Sequence, residues 1–400
     1  MLDIRTYTWL NDNTNLSWVY VMKELVKAFD QLGHNTNILS TNGLNETTFP
    51  KEKMIKSISE LQKFGSGKKA IDIDFTYTVP QNFPERFLPN SKAKCAIYNY
   101  ETTIWPREWR RFYGLVDYYL PSSNFSAEVF YMNGIPKEKI FVIPHGVDTS
   151  LFNPSIPAIK LKTNKKFKFI SVVAPHMRKN IDLLLEAYCE AFTASDDVCL
   201  VLKTKLFKHS DGEYNAQKNP KGRKGFEIVV GDIFRRLVEK YGKNMPEIEL
   251  LLGQVENVAS IYNACQCHIT TTGAEGYGLP ILESMGSGLI NICPNYSGQL
   301  DFANTDNSLL IDTKLRSAKQ FEQYWGYNPQ SQIGQPSKKH TIELMQKAVK
   351  EYDMLMARFK PNMEKTVKEL SWQNAAQKII DATQGKIAHY KPGTYNWWPK

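Results

Sequence analysis

The sequence predicts an α/β chain made of two doubly wound, Rossmann-like domains that face each other across a cleft. Three observations carry this expectation. At 400 residues the chain is longer than one hydrophobic core usually holds, so two domains are expected. Strand-like and helix-like segments alternate through the first third, the pattern of a parallel sheet covered by helices. A second alternating run starts at Phe167, after a stretch holding Pro154, Pro157 and several lysines with no sustained period.

In the first run, residues 4–9 read as a strand, 17–32 as a helix closed by Gly33, and 37–40 as a second strand. A helix near 51–64, strands near 70–75 and 93–98, and a helix over 123–133 follow. Gly134 stops that helix, and Ser122 or Ser123 caps it. Residues 147–167 read as an interdomain linker. The second run holds strands at 167–173, 198–202, 249–252 and 267–272, with helices at 181–192 and 226–241. The tail reads as helices over 341–358 and 362–370 and a last one through Trp372 to Ile387. The expected divisions are 1–155, 165–372 and a closing segment 373–400.

An apolar fraction of 42% and a charged fraction of 23% are those of an ordinary globular chain. No apolar run approaches the roughly 18 residues needed to span a bilayer, and Met1-Leu2-Asp3-Ile4-Arg5 lacks the plan of a signal peptide. A cytoplasmic location is expected, peripheral to the inner face of a membrane if the basic excess serves lipid. The six cysteines show neither CxxC spacing nor a nearby histidine cluster, so small core residues are expected and a zinc site or disulfide framework is not. A net charge of +9 fits an acidic partner or simply a lysine-rich organism.

The chemistry concentrates between residues 267 and 288. Cys267-His268-Ile269-Thr270-Thr271-Thr272 has the β-branched character of a buried strand, and Pro280 stands where the first turn of a helix tolerates proline. Glu275 therefore falls in the loop at the strand's carboxyl end and Glu283 about one turn into the helix. First-turn amides have no partners inside a helix and carry the positive end of its dipole, so the backbone from Gly276 through Tyr277 and Gly278 to Leu279 suits a diphosphate. A carboxylate on either side suits the vicinal hydroxyls of a sugar and a ribose. Together they describe a nucleoside-diphosphate sugar. By spacing alone an ordinary βα loop, with Glu275 solvated and Glu283 on the helix surface, stays open.

Glu275 to Glu283, with GYGLPIL between them and SMGSG after, resembles the E-x7-E signature of retaining GT-B glycosyltransferases of the family four type. Other blocks are similar to that family in order: Leu252-Gly253-Gln254-Val255 with Ile261-Tyr262-Asn263-Ala264, residues 169–173 with Arg178-Lys179-Asn180, Asp117 to Ser123, and Ile143-Pro144-His145-Gly146-Val147-Asp148. The resemblance implies a GT-B fold and transfer of a sugar from a nucleoside diphosphate, UDP or GDP, to a hydroxyl acceptor. It implies retention by front-side displacement, with no enzyme nucleophile and no required metal. Glu275 would then orient the transferred sugar, and Glu283 would bind the ribose. Arg178 and Lys179 would neutralise the leaving diphosphate, and Gly276, Tyr277, Gly278, Leu279 and Val255 would line the donor. The chain departs from the pattern at Val173-Ala174-Pro175, where many family members carry an arginine; Arg178 is the candidate substitute.

The remaining candidates are weaker. The aromatic run from Asn99 to Trp109 resembles by position the family's acceptor-side loop, with Glu101 as the candidate there, while Trp105 and Trp109 equally suit simple packing. His145 reads as structural. Asp72-Ile73-Asp74 has a metal-binding DxD spacing but lies at the end of an early strand, far from the donor motif. The polar stretch 203–224, with Lys160, Lys162, Lys165, Lys166 and Lys168, suits either solvated loops or an anionic acceptor such as DNA or a lipid surface, with Tyr395-Asn396-Trp397-Trp398 as an interfacial anchor. A DNA-modifying GT-B enzyme is a variant of the main reading. A nucleotide-sugar epimerase or hydrolase would consume donor without an acceptor, and a silent binding module would bind it without turnover.

Overall fold

The computed structural model describes residues 1–8, 17–40, 54–55, 71–204, 231, 233–252, 257–319, 328 and 330–395. These form two compact units, one of Met1–Gly146 with Leu370–Lys400 and one of Val147–Glu369.

The first unit is built on six strands, β1 (Asp3–Thr8), β2 (Asn35–Ser40), β3 (Met54–Ile55), β4 (Ile73–Tyr77), β5 (Ala93–Ile97) and β6 (Tyr118–Tyr119), in the order β3-β2-β1-β4-β5-β6. All pairs are parallel. This is the doubly wound order, and the direction of winding reverses between β1 and β4. Parallel strands covered on both faces read as apolar runs, and Ile4, Ile73, Phe75 and Cys95 are buried accordingly. The Ser17–Gln31 helix buries Val21, Met22, Leu25, Val26, Ala28 and Phe29 along one face, with Phe29 edge-on to Phe75 at 5.5 Å. In the Asn124–Met132 helix the expected start and stop signals are in place: Ser123 Oγ accepts from Ser126 N at 3.2 Å, and Gly134 takes a left-handed φ of 95°.

Met54–Ile55, inside the stretch 51–64 expected as a helix, is a strand. Met54 and Ile55 extend the sheet beside Ile38 and Leu39, a pairing that local propensity does not register; the rest of that segment lies outside the described residues. Asp72 and Asp74 sit at the start of β4, not at its end. Asp74 is buried and takes Arg5 Nη2 at 2.6 Å, Arg5 Nε at 2.9 Å, Leu88 N at 2.8 Å and Ser91 Oγ at 2.7 Å. Asp72 takes Lys92 Nζ at 2.7 Å and Asp3 N at 2.9 Å. Both carboxylates thus hold the strands together at the amino-terminal end of β4.

The closing helix, Trp372–Thr383, is capped by Ser371, which accepts from Asn374 N at 3.1 Å, and it packs on the Ser17–Gln31 helix. Trp372 stacks on His145 with ring centres 5.7 Å apart, and burial lowers that imidazole to about 3, so it is neutral packing. Gly146 explains the glycine of the His145-Gly146-Val147 turn, because a Cβ there would lie 2.2 Å from Trp372 N. Gly146→Ala is expected to cost about 1–3 kcal/mol, as overpacking does, read as a lower midpoint of denaturant unfolding; an unchanged midpoint would mean that the returning helix yields freely.

The second unit holds β7 (Phe167–Val172), β8 (Val198–Thr204), β9 (Glu247–Leu252), β10 (Cys267–Ile269), β11 (Ile290–Pro294) and β12 (Leu309–Ile311), all parallel, in the order β12-β11-β10-β7-β8-β9. It repeats the first unit's winding, with its reversal between β7 and β10. An antiparallel ribbon of β13 (Thr313–Ser317) and β14 (Gln332–Pro336) follows. Residues 147–166 are fastened to this unit and are not a loose linker: Ile159 N donates to Ser260 O at 3.0 Å, and Asn263 Nδ2 donates to Asn153 O at 2.8 Å.

The tail of this unit breaks at Glu351, where the Lys338–Lys350 helix ends and the Tyr352–Glu369 helix begins. The sequence had suggested a break near Pro361, which instead lies inside the second helix. Leu355, Phe359, Met363 and Val367 explain this. They recur every four residues and are all buried. Burying four such side chains, at about 1.5–3 kcal/mol each, outweighs the roughly 3 kcal/mol that an interior proline costs.

All six cysteines are buried free thiols. Among the described residues no helix is long and apolar enough to cross a membrane.

Candidate functional site

In an open doubly wound sheet, ligands bind outside the carboxyl ends of the strands where the winding reverses. In the second unit that point lies between β7 and β10, and the predicted residues leave the sheet there on both sides. After β7 the chain turns through Met177-Arg178-Lys179. After β10 it runs through Thr270 to Gly278 into the Leu279–Gly286 helix.

The two loops are bonded to each other. Gly273 N donates to Arg178 O at 2.6 Å, Arg178 Nη1 to Ala274 O at 2.6 Å, and Thr271 Oγ1 to Asn180 O at 3.0 Å. Asn180 stands at the N-cap position of the Ile181–Ala191 helix but does not cap it through its side chain. Its backbone is left-handed at φ 48°, its Nδ2 reaches Thr271 O at 3.0 Å, and its Oδ1 accepts from Arg316 at 3.3 Å. Asn180 is thus a tether between loops and not a side-chain cap.

This stitching brings Glu275 against both predicted cations. Its carboxylate accepts from Lys179 Nζ in a short contact and from Arg178 Nη1 at 3.4 Å. The three side chains keep only 13–14% of their surface exposed. Burial alone would raise the Glu275 carboxyl, but the charges of Lys179 and Arg178, with hydrogen bonds from Lys179 and Thr272, outweigh it and hold the group at about 2. His176 beside them is lowered to about 3, by burial first and then by the two cations. The Glu275 backbone is fixed as well, since its N donates to Ser297 Oγ at 2.8 Å and its O accepts from Gly298 N at 2.9 Å.

Gly278 opens the Leu279–Gly286 helix with φ 100°, a conformation that glycine adopts without strain. Tyr277 is buried against Phe302, with ring centres 5.0 Å apart. Glu283 is not a solvated helix-surface residue. It is partly buried, it accepts from Tyr262 Oη at 3.1 Å, and burial raises its carboxyl to about 7. The two glutamates thus differ sharply: one is a fixed anion and the other titrates near neutrality.

Arg178, Lys179, Glu275, Gly276, Tyr277, Gly278, Leu279 and Glu283 all fall at this one end of the second sheet. Val255, with Gly253 and Gln254, lies outside the described residues, as do residues 205–224 of the polar stretch and residues 396–400. Glu101 belongs to the first unit, in the loop after β5. It lies near Tyr77 and Tyr100, whose hydroxyls are pushed up by burial and further by its charge. Trp105 and Trp109 are buried in an aromatic cluster with Tyr98 and Phe130, so that part of the loop is packing. Ser297, Gln299 and Tyr262 were not singled out by sequence reasoning as site residues. Ser297 carries a strained φ of 80° and donates to Gln299 Oε1 at 2.9 Å; the Ser297-Gly298 pair just after β11 was the available signal. Among the described residues, no group of three or more His, Cys, Asp or Glu is placed to hold a metal ion.

No family model matches the sequence. The chain is 25% identical over 236 residues to an uncharacterized glycosyltransferase of Sulfolobus islandicus rod-shaped virus 1, covering 56% of this chain and 59% of that protein. It is 26% identical over 174 residues to a probable sucrose-phosphate synthase of Thermosipho melanesiensis, covering 41% and 34%. In each case less than two thirds of the relative is matched. Among solved structures, a glycosyltransferase from Rickettsia africae superposes with a TM-score of 0.67 at 14% identity, covering 96% of this chain and 98% of that one. Anabaena HepE in complex with UDP-glucose superposes with 0.66 at 11%, covering 96% and 100%. The fold is GT-B. Each GT-B unit here carries its own parallel sheet and its own point of reversal, and the clustered residues lie at that of the second.

Proposed function

We propose that the chain is a glycosyltransferase of the retaining, family four type, which binds a nucleoside-diphosphate sugar at the second unit's reversal point and passes the sugar to a hydroxyl acceptor. The observation that carries this reading is the Arg178–Lys179–Glu275 cluster, set beside the loop that opens the Leu279–Gly286 helix. Two guarded cations and a helix start are what a leaving diphosphate requires, since its developing charge is the main electrostatic demand of the reaction. In this reading they do the work of a metal, Glu275 holds hydroxyls of the transferred sugar, and Glu283, steadied by Tyr262, accepts from the ribose. Substitution proceeds on the face from which the diphosphate departs. The acceptor meets the first unit, where Glu101 is the candidate that orients it; the net charge suits an anionic acceptor, and a lipid surface is preferred to DNA, which would need interleaved aromatics. HepE was solved with UDP and UDP-glucose, which supports starting from uridine donors.

The direct test is to screen UDP- and GDP-sugars for thermal stabilisation and then follow turnover of the best donor with glycan, lipid, protein and DNA acceptors. Stabilisation together with acceptor-dependent release of nucleoside diphosphate is expected. Donor consumed without acceptor would favour hydrolysis or epimerisation, and binding without turnover a silent module.

The raised Glu283 adds a pH dependence. A carboxyl lifted from 4.5 to about 7 in the fold favours folding fully below about 4.5, and that contribution is lost as pH rises through about 7. Ribose hydroxyls, however, need the ionised form as acceptor, so affinity for an intact nucleotide sugar is expected to rise between pH 6 and 8. Glu283→Gln should flatten the rise; a flat profile in the unaltered protein would contradict this role.

A further inference from the structure

Glu275 already occupies the two cations that the reading above assigns to the diphosphate. Its carboxylate lies on Lys179 Nζ and on Arg178 Nη1, and Arg178 is itself anchored to Ala274 O at 2.6 Å. An incoming diphosphate must therefore come to rest beside the same cations as a fixed anion. In a site where each of these side chains keeps 13–14% of its surface, solvent screens that repulsion poorly. The backbone of Glu275 is pinned by Ser297 Oγ at 2.8 Å and by Gly298 N at 2.9 Å, so only its side chain is free to turn.

We propose that Glu275 is an exchangeable counter-ion, displaced from Lys179 and Arg178 by the nucleotide's diphosphate and returning to them as the diphosphate leaves. This rests on the diphosphate position given under Proposed function. Displacement releases the carboxylate towards the sugar at the moment the donor is seated, and its return speeds departure of the product. The consequence separates it from an ordinary binding residue. Loss of an ordinary contact weakens binding and slows turnover together, whereas loss of a competing anion slows turnover while it tightens the product.

Inorganic pyrophosphate tests this without knowledge of the base. Titrated into the full chain by calorimetry, its dissociation constant is expected to fall about tenfold in Glu275→Gln and Glu275→Ala, within the usual range of coupling between two ligands. It should stay unchanged in Glu283→Gln, because Glu283 bonds Tyr262 and not the cations. UDP should follow pyrophosphate in the Glu275 variants. If the Glu275 variants bind pyrophosphate no tighter, while the unaltered protein binds it and loses it on Lys179→Ala, the counter-ion role is overturned and the donor reading stands. If neither pyrophosphate nor UDP binds the unaltered protein or the Glu275 variants, both fall. Should the variants prove too unstable for calorimetry, melting replaces it: pyrophosphate should raise the midpoint more in Glu275→Gln than in the unaltered chain, and a smaller rise contradicts the exchange.

Discussion

Glu275→Ala is expected to lower turnover by about a hundredfold to a thousandfold, the range seen when a group that positions or stabilises the transition state is removed. The loss should appear at saturating donor, because the sugar is no longer held in line and the diphosphate site remains. The same change leaves Lys179 and Arg178 partly buried beside each other without their carboxylate, so a stability loss of about 1–3 kcal/mol should accompany it. Initial rates at saturating donor, with circular dichroism to show a folded chain, separate the two effects. Unchanged turnover would remove Glu275 from the reaction.

Asp74→Ala is expected to cost about 3–5 kcal/mol, the usual penalty for breaking a buried ion pair from one side. Arg5 and Asp74 are essentially inaccessible, at 1% and 0% of their side-chain surface. Removing the carboxylate leaves the guanidinium with Arg86 O at 2.6 Å, and it strands Leu88 N and Ser91 Oγ as well. Since a domain's whole stability is about 5–15 kcal/mol, the first unit should unfold at a much lower denaturant concentration. Replacing both partners with apolar residues of similar volume should recover most of the loss. A midpoint within error of the unaltered protein would mean that water reaches the pair.

Much of this site was legible because it depends on local pattern. The β-branched run before Glu275, the glycines at 276 and 278 and the proline at 280 together mark a strand, a tight loop and a helix start. Arg178 and Lys179 mark the matching end of the strand that pairs beside it. The pairing partners were not legible, since they depend on which distant segments the sheet places side by side. Nothing near Asn180 in the sequence says that its amide spans to Thr271, or that Ser297, some twenty residues after Glu275, holds that residue's backbone. Glu283 read as a ribose ligand or a surface residue, but its burial against Tyr262 needs the helix that precedes β10. The unbroken helix through Pro361 escapes local pattern because burial decides it, and the edge strand at Met54 because pairing with a distant segment decides it.

The central claim is that a nucleotide's diphosphate lodges between the Arg178–Lys179 turn and the start of the Leu279–Gly286 helix. The most direct measurement is the dissociation constant of the best-stabilising nucleotide sugar for the unaltered protein and for Lys179→Ala at one ionic strength. An affinity at least about tenfold weaker in the variant is expected, because a partly buried charge-assisted contact is lost and Glu275 remains beside the phosphates with one cation fewer. Equal affinity in a folded Lys179→Ala protein would contradict the account.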